Sequence, residues 1–183
     1  MPLPKRKHPR LRNWDYNSGG AYFITICTHD KAPLFGQIQP PVVGAIHESS
    51  ASLCRLSPWG KVVEQVLDTL PRRFPDIRLE KYVIMPNHLH LLLCLDPQVR
   101  ALREAPLLNK RSRVSNVIGY LKMNVSKEIR NAHPGQAVWQ RSFHDHIIRS
   151  EADYLRIWQY IDTNPIKWTD DCFYISDKST PSR

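Results

Sequence analysis

The sequence lacks the features of membrane proteins and of disulfide-bonded proteins. Its longest apolar run, Leu91–Leu95 and its neighbours, is far shorter than the roughly 20 residues that a membrane-spanning helix needs. The basic first residues contain no apolar segment of the kind found in secretory signals. The four cysteines show no Cys-x-x-Cys spacing, which argues against a zinc site or a disulfide framework. These absences predict a cytoplasmic protein with reduced thiols.

Internal repeats and low-complexity segments are also absent, and acidic residues are few. The chain has 26 lysines and arginines against 17 aspartates and glutamates, which gives a net charge of +9. Residues 1–13 carry +5 and residues 100–130 carry +6, so the remainder carries −2. Two basic segments on a near-neutral body favour a polyanionic partner, most simply nucleic acid. A solvated basic arm and a solvated helix would give the same charge count.

The 183 residues, 42% of them hydrophobic, suffice for one domain with its own core. The predicted strands cover residues 21–28, 78–84, 88–95 and 143–149, with a loose hairpin over 33–47. The predicted helices run from Pro58 to about Pro71, over about 112–130, and from Ser150 to Asn164. This order predicts an α+β fold, in which helices pack on an antiparallel sheet in a ferredoxin-like arrangement. We expect a basic arm over 1–19, one domain over 20–168 and a tail over 169–183.

The strongest chemical signal is the segment PNHLHLLLCL at residues 86–95. Side chains alternate between the two faces of a strand, so His88 and His90 point the same way as Leu92 and Cys94. The other face carries the odd-numbered leucines, Leu89, Leu91, Leu93 and Leu95. Two imidazoles on one face of a rigid strand suit two ligands of one divalent ion. Two histidines satisfied by hydrogen bonds at a sheet edge would give the same pattern. A second pair, His144 and His146, competes for the ligand role and ranks lower, because its burial pattern is less clear.

The last predicted helix adds a hydroxyl and an amide. Tyr160 and Asn164 are four residues apart, so they are stacked neighbours at the margin of the apolar stripe. From there both could reach a metal site on a facing strand, and a tyrosine hydroxyl aimed at a metal-polarised phosphate would be a covalent nucleophile. Tyrosine is also common on helices, and asparagine near a helix end is usually a cap or turn residue.

The order of these motifs resembles that of the single-tyrosine HUH transposases, which include the insertion-sequence transposases and the REP-associated tyrosine transposases. The matching segments are PNHLH at 86–90, WQR at 139–141, DHIIR at 145–149 and YIxxNP at 160–165. The basic arm from Lys5, YFIT at 22–25 and LSPWG at 56–60 also resemble that family. The resemblance covers roughly residues 5–170.

The resemblance implies a role for each residue at a matching position. His88 and His90 would be metal ligands, Asn164 the third ligand and Tyr160 the nucleophile. The ion would be Mg²⁺ or Mn²⁺. The substrate would be single-stranded DNA with a neighbouring hairpin, cut and rejoined through a covalent 5′-phosphotyrosine. The basic segments would hold the DNA backbone through Lys5, Arg6, Lys7, Arg10, Arg12, Arg111, Arg113 and Lys122.

Two other functions share the charge and the fold. A transposase-derived regulator would bind nucleic acid without catalysis. A metal-dependent hydrolase would use activated water and would form no covalent adduct with DNA. Insertion-sequence relatives form homodimers whereas REP-associated ones can act as monomers, so the resemblance leaves the oligomeric state open.

Overall fold

The computed structural model describes residues 19–39, 53–96, 98–99 and 112–174, so residues 1–18 of the expected arm lie outside it. The strands are β1 (Gly20–Cys27), β2 (Gly36–Ile38), β3 (Cys54–Leu56), β4 (Ile77–Ile84), β5 (His88–Leu95) and β6 (His144–Ile148). The helices are α1 (Pro58–Arg73), α2 (Arg113–Ala132) and α3 (Glu151–Thr163), and short 3-10 turns cover His29–Lys31 and Trp168–Asp170. The α+β prediction is confirmed. Within these ranges no helix combines the length and the apolarity that crossing a bilayer requires.

A four-stranded antiparallel sheet forms the centre of the fold, in the order β4-β5-β1-β6. β5 and β1 are the inner strands, and β5 is buried on both faces over nearly its whole length. The helices α1 and α2 cover one face, where Leu89, Leu91 and Leu93 lie in the main core. The helix α3 covers the other face, where Leu92 lies in a smaller core with residues of that helix. Leu89, Leu91 and Leu93 therefore face the side opposite the histidines of β5, whereas Leu92 shares their face, as the alternation predicts.

Two elements differ from their predicted extent. β2 pairs with β3, residues 54–56, whereas the predicted second arm of the hairpin at 42–46 lies outside the described residues. The helix α1 continues through Pro71 to Arg73, although proline removes one helical hydrogen bond. Leu70 and Phe74 are buried beside Pro71, and the backbone N–H of Phe74 donates to the carbonyl of Leu70. Burial of these apolar side chains outweighs the missing bond.

Two of the predicted DNA-contacting cations are used inside the fold. Arg113 is only 5% exposed, and its guanidinium donates to both carboxylate oxygens of buried Asp76. This buried ion pair argues against the predicted contact of Arg113 with DNA, because a buried charge cannot leave its partner cheaply. The ammonium of Lys122 donates to the carbonyls of Gln140 and Ser142, and its contact with DNA stays a prediction. The other predicted cations lie outside the described residues: Lys5, Arg6, Lys7, Arg10, Arg12 and Arg111.

Candidate functional site

Two buried imidazoles meet on the α3 side of the sheet. His88 lies opposite Cys27 of β1, and His90 lies opposite Thr25. The two histidines are 0% and 1% exposed, and their Nε2 atoms are 3.1 Å apart. Because β5 is an inner strand, both neighbouring strands hold these side chains in place. The pair is thus a rigid point at which two nitrogen atoms converge.

Neighbouring groups determine which ring nitrogens carry protons. Nδ1 of His88 is 2.9 Å from Oδ1 of Asn87, whose amide nitrogen donates to the carbonyl of Phe173. Nδ1 of His88 therefore donates, and its Nε2 keeps a lone pair. Nδ1 of His90 is 2.9 Å from the hydroxyl of Thr25, which can either donate or accept. His90 can thus protonate Nε2 and donate to His88, or protonate Nδ1 and leave both Nε2 lone pairs for one ion.

Burial also keeps both imidazoles neutral. Desolvation, with a smaller contribution from the charge of Lys31, lowers the pKa of His88 to about 3. Desolvation and the neighbouring His88 lower the pKa of His90 well below its ordinary value, against the opposing effect of Asp171. Neutral imidazole is the form that binds a metal ion, so no proton has to be removed before a cation enters.

The helix α3 carries the predicted tyrosine and asparagine to this point. Its N-cap is Ser150, whose hydroxyl accepts from the backbone N–H of Asp153. Ile157 and Ile161 are its buried residues, and they pack against the histidine face of the sheet. This packing fixes the rotation of the helix, so that the side chain of Tyr160 reaches the imidazoles.

The hydroxyl of Tyr160 lies 3.4 Å from Nε2 of His90 and 3.4 Å from Oδ2 of Asp171. Its ring meets the ring of His90 at 5.2 Å and the edge of Phe23 at 5.8 Å. The side chain is 40% exposed, so the hydroxyl lies between the buried pair and solvent. Burial and the charge of Asp171 raise the pKa of Tyr160 to about 12. The phenol therefore keeps its proton at neutral pH.

Asn164, at the end of α3, presents an unsatisfied oxygen. The residue is 3% exposed, and its amide nitrogen donates to Oδ2 of Asp171 at 2.8 Å. Its Oδ1 is buried and has no hydrogen-bond partner among the described residues. A buried amide oxygen without a donor costs about 1–3 kcal/mol, and a cation would satisfy it.

A residue that the sequence analysis missed completes the cluster. Ligand atoms of His88, His90 and Asp171 all lie within 4.8 Å of one another. Asp171 follows the 3-10 turn Trp168–Asp170, which folds the chain back onto the site after α3. The one available signal was a pair of acidic residues, Asp170 and Asp171, shortly after the helix-ending Asn164-Pro165. No periodicity marks which of the two turns inward.

The segment from Asp171 to Tyr174 covers the site. The ring of Phe173 lies 4.6 Å from the ring of His88, and Trp168 lies 5.9 Å from it. The carbonyl of Phe173 accepts from the side chain of Asn87 at 2.8 Å. Residues 169–174, which the sequence analysis assigned to a tail, thus contact the histidine pair directly.

The second histidine pair has no such surroundings. His144 and His146 lie on β6, the edge strand, and both are exposed. Nε2 of His146 is 2.7 Å from a carboxylate oxygen of Asp153, which also accepts from Arg156. Hydrogen bonds from these two residues lower the pKa of Asp153. The contacts of His146 are those of a surface ion pair at the start of α3.

A cleft of about 480 Å³ opens beside the tyrosine. Two cationic side chains line it together with the tyrosine and the asparagine of the site. Its lining residues are Arg156, Gln159, Tyr160, Thr163, Asn164, Lys167, Asp170, Asp171 and Cys172. Tyr160 therefore borders both the buried histidine pair and an open cleft.

Two proteins of Haemophilus influenzae are similar to this chain. One, an uncharacterized protein, is 34% identical in an alignment of 179 positions that covers 93% of each chain. The other is 23% identical over 163 residues, 84% of this chain and 74% of its own, and its name places it among the REP-associated tyrosine transposases. A solved REP-associated tyrosine transposase bound to a REP hairpin has the same fold, with a TM-score of 0.54, 19% identity, and coverage of 87% of this chain and 73% of that one. No protein-family model matches.

Proposed function

The chain belongs to one family with the 34% identical Haemophilus influenzae protein and has the fold of the single-tyrosine HUH transposases, and on that premise we propose that it cuts and rejoins single-stranded DNA through Tyr160. One observation carries the proposal. The phenol oxygen of Tyr160 lies 3.4 Å from an imidazole nitrogen of a buried, neutral histidine pair. A nucleophile and a set of atoms suited to bind a metal therefore converge beside an open cleft.

The residues of the site fit a divalent cation. Both imidazoles can turn lone pairs to one point, and the buried Oδ1 of Asn164 has no partner among the described residues. His88, His90 and Asn164 would hold the ion, with Asp171 as a further oxygen ligand. Imidazole nitrogen suits Mn²⁺ better than Mg²⁺, so we expect both ions to support activity and Mn²⁺ to bind more tightly. When bound, such an ion draws charge from a non-bridging phosphate oxygen.

The proposed step is a phosphoryl transfer to the phenol. A bond forms between the oxygen of Tyr160 and phosphorus, and the bond from phosphorus to the 3′ oxygen breaks. The carboxylate of Asp171, which accepts the hydrogen bond of the phenol, is placed to take its proton, and the 3′ oxygen leaves as a hydroxyl after gaining one. The 5′ end stays on Tyr160, and the energy of the broken bond is kept. A different 3′-hydroxyl can then reverse the step without ATP.

DNA is the polyanion that this site would act on. The chain carries a net charge of +9, and Arg156 and Lys167 line the cleft beside Tyr160. The relative of the same fold was solved with a REP hairpin bound. We extend that partner to this chain and expect a hairpin next to the single strand that enters the cleft.

The test is the formation of a covalent protein–DNA adduct. A 3′-labelled oligonucleotide, with a hairpin beside a single-stranded segment, is incubated with the full chain and Mn²⁺. We expect a labelled adduct that survives denaturing electrophoresis, and its complete loss in Tyr160→Phe. Tyr154→Phe is the matched control on the same helix, because Tyr154 packs against Trp158 and is not part of the cluster.

Each other outcome contradicts the proposal in a different way. Cleavage that persists in Tyr160→Phe without an adduct would indicate a hydrolase that uses water. Binding of the oligonucleotide without any cleavage by the wild-type chain would indicate a regulator that only binds.

A further inference from the structure

The turn that follows β1 has an uncommon backbone conformation. Asp30 and Lys31 have φ angles of 52° and 54°, so two consecutive residues other than glycine adopt left-handed geometry. Such a conformation is unfavourable for residues other than glycine and persists only where the surroundings enforce it. This conformation therefore fixes the direction in which the side chains of Asp30 and Lys31 leave the backbone.

Buried Thr28 enforces this conformation. Its hydroxyl lies 2.8 Å from the carbonyl of Ala32 and 2.9 Å from that of Asn87, and its backbone N–H also donates to Asn87. The backbone N–H of Ala32 closes the turn on the carbonyl of His29 at 3.1 Å. Asn87 directly precedes His88, so these bonds tie the turn to the start of the candidate metal site.

The turn places the ammonium of Lys31 near the candidate metal site. Its Nζ lies 5.2 Å from the centre of the Phe173 ring, and the same ring lies 4.6 Å from the ring of His88. The Phe173 ring thus contacts both a cation and an imidazole of the candidate metal site. The remaining contact of the ammonium is a long one, 3.4 Å from the carbonyl of Cys172. No carboxylate within the described ranges forms an ion pair with Lys31.

We propose that Lys31 binds a phosphate of the DNA strand at the histidine site, where that phosphate takes the place of the Phe173 ring. The inference rests on the proposed function, because it assigns a substrate contact to that same site. Lysine is a compact point charge that binds phosphate oxygens well, and here it lies over the ring that contacts His88. A phosphate in that place would lie against the positive charge of Lys31. Lys31 would be a positioning residue that holds the phosphate within reach of Tyr160.

The experiment measures binding with EDTA present, so that it does not depend on cleavage. Hairpin oligonucleotides in which one phosphate at a time near the cleavage position is a neutral methylphosphonate are titrated with the full chain. For the wild type, we expect one position at which the methylphosphonate weakens binding about tenfold or more. In Lys31→Ala we expect unmodified DNA to bind as weakly, and the methylphosphonate at that position to have no further effect.

Two controls separate substrate contact from structural damage. Lys31→Arg keeps the charge and should retain most of the affinity, whereas Lys61→Ala, an exposed lysine on α1, should bind like the wild type. The slope of log affinity against log salt should fall by about 0.7 in Lys31→Ala, the value for one phosphate contact to a single strand. The melting temperatures of the variants should match that of the wild type.

The outcomes distinguish this inference from the proposed function. Unchanged binding by Lys31→Ala, or undiminished sensitivity at every methylphosphonate position, would overturn the role of Lys31 alone. A wild-type chain that binds through Lys31 but forms no adduct with Mn²⁺ would overturn the proposed chemistry alone. A wild-type chain that does not bind the oligonucleotide would overturn both.

Discussion

The chain contains two His-x-His segments with the same spacing, and the fold treats them differently. His88 and His90 lie on β5, an inner strand, whereas His144 and His146 lie on β6, which pairs on one side only. All four face the same side of the sheet, because Thr25 of β1 is opposite both His90 and His144. The inner pair is buried, and the edge pair is exposed.

The difference shows that the spacing of two histidines determines which face of the sheet they share. Whether their strand is an inner or an edge strand determines their burial and therefore their chemistry. Burial makes the inner imidazoles neutral and brings their Nε2 atoms to 3.1 Å from each other. The end of α3 and the turn after it place Asn164 and Asp171 over this inner pair. At the edge, His146 instead pairs with Asp153 near the start of the helix. A metal site needs several donors that converge, and only the inner strand lies beneath them.

Replacing one histidine of the inner pair should affect metal binding and adduct formation far more than replacing one of the edge pair. His88→Ala or His90→Ala should abolish measurable Mn²⁺ binding by calorimetry and reduce adduct formation at least about 100-fold, because each removes a ligand. His144→Ala is the matched control on the same face of the sheet and should change neither quantity more than about twofold. An equal loss in His144→Ala would mean that the edge pair belongs to the site.

Most of the fold could be predicted from local patterns. β1, β5, α2 and α3 carry strong two-residue or 3.6-residue periodicity, and the face on which His88 and His90 lie follows from alternation alone. Two features of the site and its surroundings could not be predicted this way. Asp171 arrives through a 3-10 turn that has no periodic signal. Arg113 resembles a surface cation at a helix start, and its partner Asp76 lies 37 residues earlier in the chain.

The inner pair has an acidic neighbour, Asp171, whose carboxylate lies within 4.8 Å of a ring nitrogen of each histidine. Asp171→Asn removes the negative charge and should weaken Mn²⁺ binding about 100-fold, given the strength of a charged contact at short range and an intermediate dielectric constant. Asp170→Asn is the control, because the neighbouring residue lines the cleft and is not in the ligand cluster. If both variants bind Mn²⁺ equally well, Asp171 is not a ligand.

Thr25 lies opposite one histidine of each pair, His90 and His144, and its hydroxyl bonds Nδ1 of His90. Thr25→Val keeps the shape of the side chain and removes the hydroxyl that bonds Nδ1 of His90. We expect Mn²⁺ affinity to fall about tenfold, because the partner that orients a ligand histidine is lost. Thr69→Val, whose hydroxyl bonds a carbonyl of α1, should leave the affinity unchanged. A full-strength Mn²⁺ site in Thr25→Val would contradict the tautomer argument.

Acid should reveal the cost of burying the inner pair in the metal-free protein. The pKa of His88 is lowered to about 3 in the folded chain, against about 6.5 when unfolded, so the unfolded state binds the proton first. The stability that comes from the neutral His88 is therefore present above pH 6.5 and is lost as the pH falls towards 3. Between pH 7 and pH 5 this costs about 2 kcal/mol. In EDTA, the free energy of unfolding measured with urea should fall by about 2 kcal/mol less between pH 7 and pH 5 in His88→Asn than in the wild type. An equal fall in the two proteins would contradict the prediction.

The smallest effect is expected at the edge pair, in the contact between His146 and Asp153. The two side chains are 50% and 20% exposed, so solvent screens their attraction. Asp153 also keeps Arg156 as a partner in the absence of the histidine. His146→Ala should therefore change the free energy of unfolding by less than about 1 kcal/mol, measured by urea denaturation, and should leave Mn²⁺ affinity unchanged. A larger loss, or a loss of metal binding, would show that the exposed pair acts together with the buried one. Such an influence could pass through Phe23, which lies opposite His146 and whose ring lies 5.0 Å from that of His90. It could also pass through Thr25 or through the start of α3.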